Sequence, residues 1–377
     1  MAKYANFTTS TYGKGEQATI CSFLKISLHP HVQSPLPVCA DARSAYPDLE
    51  ITSAARLYWL PQSSEVMLRA PHCMIDGMGT VMFWDAFFNL VRMEEGREEV
   101  YAWGEELRRL SPAMEKVWGY EQGTAERVKE VTDSFMSFIG KYPSIGPTNT
   151  AGKVPPTRCA MAELVLDESL TETLISICKC QGISVTSAIE ACFILALQAH
   201  AAPSLKDRDY AVYHLFDMRP YLDPPFNTSK NAVNVCFTSL PFTLELPTTF
   251  TKASKQLHDQ YSTSFKNNKH GLDLVTAFSR FLEGLVATPT FLEAPVPANA
   301  FPSSLGIIDR YIQHTYLDGR LKVEAFDFGV DVCGMQSSIY FYTFRGKLTI
   351  HYAFNEAHEE RRTVESILQH MLATIKS

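Results

Sequence analysis

The 377-residue chain has no stretch approaching the ~18 uninterrupted apolar residues of a membrane span, and its start, Met1 to Ser10, lacks the apolar core of a secretory signal. A protein of the cytoplasm with no membrane association is the expectation. It also lacks any long run of Lys or Arg, and its formal net charge is -7, which argues against a nucleic-acid backbone as partner. Zinc spacing is missing too: nine cysteines, an odd number, run from Cys21 to Cys333, and the Cys178-x-Cys180 pair is followed by no second pair of ligands. Reduced, mostly buried thiols and no metal site are expected. Gly13-Lys14-Gly15 and Gly77-Met78-Gly79 are too short and wrongly spaced to cradle a nucleotide. What is abundant is apolar surface: 46% of residues are hydrophobic, enough for one large domain or two lobes.

The most informative stretch is Ala70-Pro71-His72-Cys73-Met74-Ile75-Asp76-Gly77. Ser64 to Arg69 reads as a strand that must end near Pro71, which has no N–H for a ladder. Met78 to Leu90 carries Val81, Met82, Phe83, Trp84, Phe87, Phe88 and Leu90, a largely buried helix. Asp76 and Gly77 then lie at its start, where free backbone N–H groups favour a carboxylate. His72, at the strand end, has the form of a general base: one ring nitrogen held by a carbonyl, the other open to a cavity. From the residues alone, a satisfied structural histidine beside a capping aspartate is the simpler reading of the same position. Cys73, adjacent to His72 and pointing elsewhere, is poorly placed as a nucleophile.

Further along, Thr19 to Leu28 and Leu57 to Leu60 suggest strands, while Ala40 to Tyr46 is a short helical candidate stopped by Pro47. Glu94 to Val131, with Trp103 and Trp118, suggests amphipathic helices broken near Ser111-Pro112. Tyr142 to Thr157 is rich in proline and reads as a linker, so the chain divides into a first lobe, 1–155, and a second, 156–377. In the second, Cys159 to Leu166, Tyr210 to Phe216 and Ala232 to Leu240 read as strands. Helical patterns follow Asp167, fill Val185 to His200, and cover Thr251 to Phe265 and Leu272 to Val286. Tyr311 to Leu317 and Leu321 to Phe328 flank Asp318-Gly319, and Ser338 to Phe344 and Lys347 to Phe354 flank Arg345-Gly346, as two hairpins. A helix from about Glu359 to Ile375 closes the chain. His214 and His351 fall in strands and read as satisfied histidines.

His72-Cys73-Met74-Ile75-Asp76-Gly77 resembles the His-x-x-x-Asp-Gly motif of the two-lobed acyltransferase superfamily, which includes peptide-synthetase condensation domains, plant alcohol acyltransferases and fungal trichothecene acetyltransferases. Ser303-Ser304-Leu305-Gly306, Phe326-Asp327-Phe328-Gly329 and the closing strand-turn-strand with Asn355-Glu356 are similar to the fungal branch, so the resemblance covers residues 50–377. It implies an α/β fold of two chloramphenicol-acetyltransferase-like lobes, with mixed sheets flanked by helices and a channel between them. It also implies a reaction of secondary metabolism: an acyl group passes from a CoA or carrier-protein thioester, with no bound cofactor, to a hydroxyl of a small hydrophobic metabolite. His72 would be the base. Asp76 would be structural, pairing with one of Arg56, Arg69 or Arg219, and Gly77 would allow close approach of the helix. Ser303 and Ser304 are candidates for oxyanion or substrate contacts, or else ordinary turn residues after Pro302. Asp327 reads as a structural contact where the lobes meet.

The chain departs from the pattern at Pro71, where condensation domains carry a second histidine, and at Val330, where the plant branch has tryptophan. The motif also begins early, at residue 72, which implies a shortened first lobe. Either a wide apolar entrance in a monomer or a homodimer covering the gap is expected. A thioester-independent cyclase or isomerase on the same scaffold, and a non-catalytic binding protein, remain the alternatives.

Overall fold

Period-two alternation of apolar residues produces most of the strands, and the longer apolar runs produce the helices that cover them. The structure, a computed structural model, describes residues 19–28, 41–46, 49, 53–91, 104, 110–118, 124–147, 155, 157–264, 299–332 and 336–377. The first part comprises β1 (Thr19–Leu28), α1 (Ala42–Ala45), β2 (Arg56–Leu60), β3 (Glu65–Pro71), α2 (Gly77–Val91), α3 (Met114–Trp118) and α4 (Ala125–Ile139). Then follow β4 (Cys159–Leu166), α5 (Glu168–Gln181), α6 (Val185–His200), β5 (Tyr210–Asp217), β6 (Phe237–Leu244) and α7 (Phe250–Asp259). The last part holds β7 (Phe301–Ile307), β8 (Thr315–Tyr316), β9 (Leu321–Val330), β10 (Ser338–Phe344), β11 (Lys347–Asn355) and α8 (Arg361–Lys376).

These strands form one sheet in the order β2-β3-β1-β9-β8, a second in the order β4-β11-β10-β7, and a β5-β6 ribbon. The fold is therefore mixed α/β with several sheets, as a two-lobed acyltransferase architecture requires. The first sheet draws on both ends of the chain, because β9 pairs antiparallel with β1. Val81, Trp84 and Phe88 of α2 pack with Leu68, Phe326 and Phe328 over this sheet. The second core lies between α6, α8 and the second sheet, with Ile189, Phe193, Ile350, Ile367 and Met371 fully buried. Sheet two is apolar on both faces: in β10, Tyr340 and Tyr342 join the first core while Ile339 and Phe341 join the second.

Local signals place several boundaries. The Asp167 carboxylate accepts from the Leu170 N–H, and Gly182 closes α5 at φ 66°, where a side chain would be strained. Ser184 and Ser187 form a reciprocal cap on α6. Arg345 and Gly346 both take positive φ, 50° and 73°, the two-residue turn that suits a twisted hairpin.

Four expectations are corrected. The strand expected at Ala232 to Leu240 begins only at Phe237. The Cys236 N–H is spent on Asp76, and the Asn234 side chain bonds the Val235 N–H, so neither donor can enter a ladder. The Asp318-Gly319 hairpin has a first strand of only two residues, because the Tyr311 and Ile312 N–H groups turn back onto Ile308 and the Gln313 N–H bonds the Tyr316 hydroxyl. Ser303 and Ser304 are not turn residues; both lie inside β7. The helix of Thr251 to Phe265 ends as α7 at Asp259 and passes into a wider π turn, Gln260–Ser264. The helix expected at Leu272 to Val286, with Tyr101, Trp103 and Leu107, lies outside the described residues.

Among the described residues no single helix is long and apolar enough to cross a membrane. The α5 and α6 pair passes such a test only jointly, across a 101° bend, and α6 is packed in the second core.

Candidate active site

β3 delivers the chain to the site and Pro71 ends it, with a tight turn closed by the Met74 N–H on the Pro71 carbonyl at 2.9 Å. His72 stands in that turn, half-buried, between the strand and α2. Its Nδ1 lies 3.1 Å from the Ile75 carbonyl oxygen. A carbonyl only accepts, so of the two neutral tautomers this contact selects the one with hydrogen on Nδ1 and the lone pair on Nε2. Cys73 and Met74 are exposed.

Asp76 is almost fully buried and both its oxygens are occupied. Oδ1 accepts from the Gly79 N–H at 2.6 Å, capping α2. Oδ2 accepts from Arg219 Nη1 at 3.0 Å and from the Cys236 N–H at 2.6 Å. Arg219, just beyond β5, also meets Asp217 at 3.2 Å and the Asn234 carbonyl at 3.3 Å. Burial works against the Arg219 charge, but the Asp76 and Asp217 carboxylates outweigh it and hold the guanidinium more firmly protonated. Burial raises the Asp217 pKa, an effect Arg219 counters and Asp76 reinforces. Of the three arginine candidates, Arg219 is thus the partner of Asp76. Arg69 instead pairs with Asp331 at 2.9 Å and bonds the Tyr46 carbonyl, and Arg56 opens the exposed start of β2.

The first turn of α2 is pressed onto its neighbours. A Cβ on Gly77 would stand 2.7 Å from Leu305 Cδ2, the movable end of a side chain. A Cβ on Gly79 would stand 2.4 Å from the Ala232 backbone oxygen and 2.9 Å from Ile75 Cγ1. Backbone cannot yield as a side chain does, so Gly79→Ala is expected to destabilise the protein by about 1–3 kcal/mol or more, and Gly77→Ala by less. Urea denaturation of both variants checks this; equal midpoints would contradict the tight docking of α2 on the 232–236 loop.

The two serines cannot serve one reacting oxygen together. Ser303 pairs with Tyr340 and Ser304 with Phe341, and those residues face different cores, so the serines point to opposite faces of β7. Ser304 meets the Thr186 hydroxyl at 3.2 Å on the α6 side, and Ser303 shares the face of Leu305, which covers Gly77. Asp327 is not with His72. It bonds Arg43 at 2.6 Å and lies 3.1 Å from His351 Nδ1, while Arg43 and His351 also engage Glu163. This chain of alternating charges joins β9 of the first sheet to β4 and β11 of the second. The His351 hydrogen bond, and then Arg43, hold the Glu163 carboxyl down at about 2, against the effect of its burial.

A cavity of about 1090 Å3 opens beside that charge cluster, lined among others by Arg43, Glu163, Asp327, Tyr342 and Lys347. His72 is not among its lining residues, so it is not the channel expected around the motif. Among the described residues no group of three or more His, Cys, Asp or Glu side chains could hold a metal ion. The sequence reading missed Gly79, Asn234 and Phe237; the only local signal for the first was its closeness to Gly77, and for the others there was none.

Comparison with known proteins adds to this geometry. The family described as phthiocerol/phthiodiolone dimycocerosyl transferase C-terminus matches residues 155–353. The chain is 29% identical over 322 residues to the O-acetyltransferase pigM of Monascus ruber, covering 84% of this chain and 62% of that protein. It is 25% identical to azaphilone biosynthesis cluster protein M of Aspergillus terreus, covering 83% of this chain and 76% of the relative. The structure of the trichothecene 15-O-acetyltransferase TRI3 of Fusarium sporotrichioides superposes with a TM-score of 0.67 at 20% identity, over 82% of this chain and 65% of that one. Polyketide synthase associated protein 5 of Mycobacterium tuberculosis gives a TM-score of 0.56 at 14% identity, over 95% and 94% of the two chains. At these identities the structural likeness shows the fold.

Proposed function

Since the chain belongs to the phthiocerol/phthiodiolone dimycocerosyl transferase C-terminus family, within the condensation-domain-like acyltransferases, we propose that it transfers an acyl group from a CoA or carrier-protein thioester to a hydroxyl of a small hydrophobic secondary metabolite. His72 is the general base of this reading. The observation that carries it is the Nδ1 contact with the Ile75 carbonyl, which leaves the Nε2 lone pair for a hydroxyl proton. As the acceptor oxygen bonds to the thioester carbon, Nε2 takes its proton. The tetrahedral adduct then expels the thiolate, which recovers that proton from Nε2, giving an ester and a free thiol. Ser303, which shares the face of Leu305, is the serine this reading assigns as donor to the developing oxyanion. The O-acetyltransferase names of the Monascus and Fusarium proteins support an acetyl donor and a hydroxyl acceptor.

The test is release of thiol from acetyl-CoA in the presence of a hydrophobic alcohol. His72→Ala is expected to lower the rate by about 10²- to 10⁴-fold with the melting temperature unchanged. Undiminished turnover in that variant would remove His72 as base. Conversion of a precursor with no thioester present would point instead to a cyclase or isomerase.

A further inference from the structure

His72 is held by more than its hydrogen bond. The Phe237 ring lies with its centroid 6.1 Å from that of the imidazole, the two planes tilted by 40°. A single hydrogen bond at Nδ1 anchors one atom of the ring and leaves its plane free to swing. A tilted aromatic neighbour at this distance limits that swing on one side of the imidazole. Phe237 is itself held firmly, as the first residue of β6. Immediately before it, the Cys236 N–H donates to Asp76 and the Cys236 carbonyl accepts from the Met218 N–H at 2.8 Å. The Asn234 carbonyl accepts from Arg219 and from the Asp76 N–H. The buried Asp76–Arg219 pair, which does not touch the imidazole, thus fixes the backbone that presents Phe237 to it.

We propose that Phe237 is a positioning residue that sets the plane of the His72 ring, and that the Asp76–Arg219 pair acts on the chemistry through it. The inference rests on the reading of His72 as base. Losing the aromatic face lets the imidazole turn away from the Ile75 carbonyl, so that its two neutral tautomers mix and Nε2 is aimed correctly for only part of the time.

The test compares Phe237→Ala, Phe237→Leu and Phe237→Tyr by steady-state kinetics and by 15N NMR of the imidazole in the resting protein. Phe237→Ala and Phe237→Leu are expected to lower kcat by about 10- to 100-fold while KM for the acyl donor stays within about 3-fold. Their His72 spectra are expected to show both neutral tautomers, where the parent protein shows the Nδ1–H form. Phe237→Tyr keeps the ring face and restores both properties. Phe237→Leu preserves apolar volume, so it serves if Phe237→Ala does not fold. Parent-like kcat and tautomer in Phe237→Leu overturn the inference, as does a Phe237→Tyr protein as impaired as Phe237→Leu. If His72→Ala is inactive while the Phe237 variants match the parent, the positioning role fails and the base assignment stands. If His72→Ala retains turnover, the base assignment fails whatever the spectra show.

Discussion

Asp76→Ala is expected to cost about 3 to 5 kcal/mol of folding stability, because it leaves the buried Arg219 guanidinium with only the more exposed Asp217 carboxylate to offset its charge. Both side chains are only 4% exposed, so solvent cannot take over that role. The change also removes the acceptor of the Cys236 N–H and the cap of α2, and each lost bond adds to the defect in the same direction. Soluble yield and the urea midpoint should fall together with activity. Replacing Arg219 by Met in the same chain should recover part of the loss, since the under-compensated buried charge then disappears. A fully stable Asp76→Ala protein would contradict this burial argument.

The second large effect concerns Glu359, a buried carboxyl just before α8. Ser337 is hydrogen bonded to it and the Tyr352 hydroxyl donates to Oε2 at 3.0 Å. Burial pushes its pKa up to about 7, and these two donors offset only part of that rise. In the unfolded chain the carboxyl loses its proton near the ordinary glutamate value, while the folded protein keeps it. Stability should therefore fall as pH rises from about 4.5 to 7, by about 3 kcal/mol, and then level off. Glu359→Gln has no proton to lose and should remove this slope, so it gains on the parent protein between pH 5 and pH 8. Chemical denaturation of both proteins at the two pH values is the check. Parallel curves would show that Glu359 titrates no differently in the folded state.

Much of the secondary structure follows from the sequence, because its causes are local. Alternation marks Cys159 to Leu166, the Asp167 and Ser184 caps and Gly182 bound two helices, and Arg345-Gly346 sets the register of the closing hairpin. The same is true of the His72-to-Gly77 segment, where a proline ends a strand and an aspartate begins an apolar helix. Tertiary structure alone decided which groups meet. Asp76 and Arg219 are 143 positions apart, and three arginines were equally eligible until the 232–236 loop brought one of them to the α2 terminus. That loop reads as strand by composition, yet its Cys236 N–H is claimed by a distant carboxylate and its Val235 N–H by the Asn234 side chain, and a ladder cannot form from donors already spent. The aim of Ser303 and Ser304, the docking of Gly79 on a carbonyl and the contact of Phe237 with His72 are likewise decided by packing. Periodicity and capping act over a few residues, whereas burial pairs charges and ring faces between elements whose order in space no local pattern encodes.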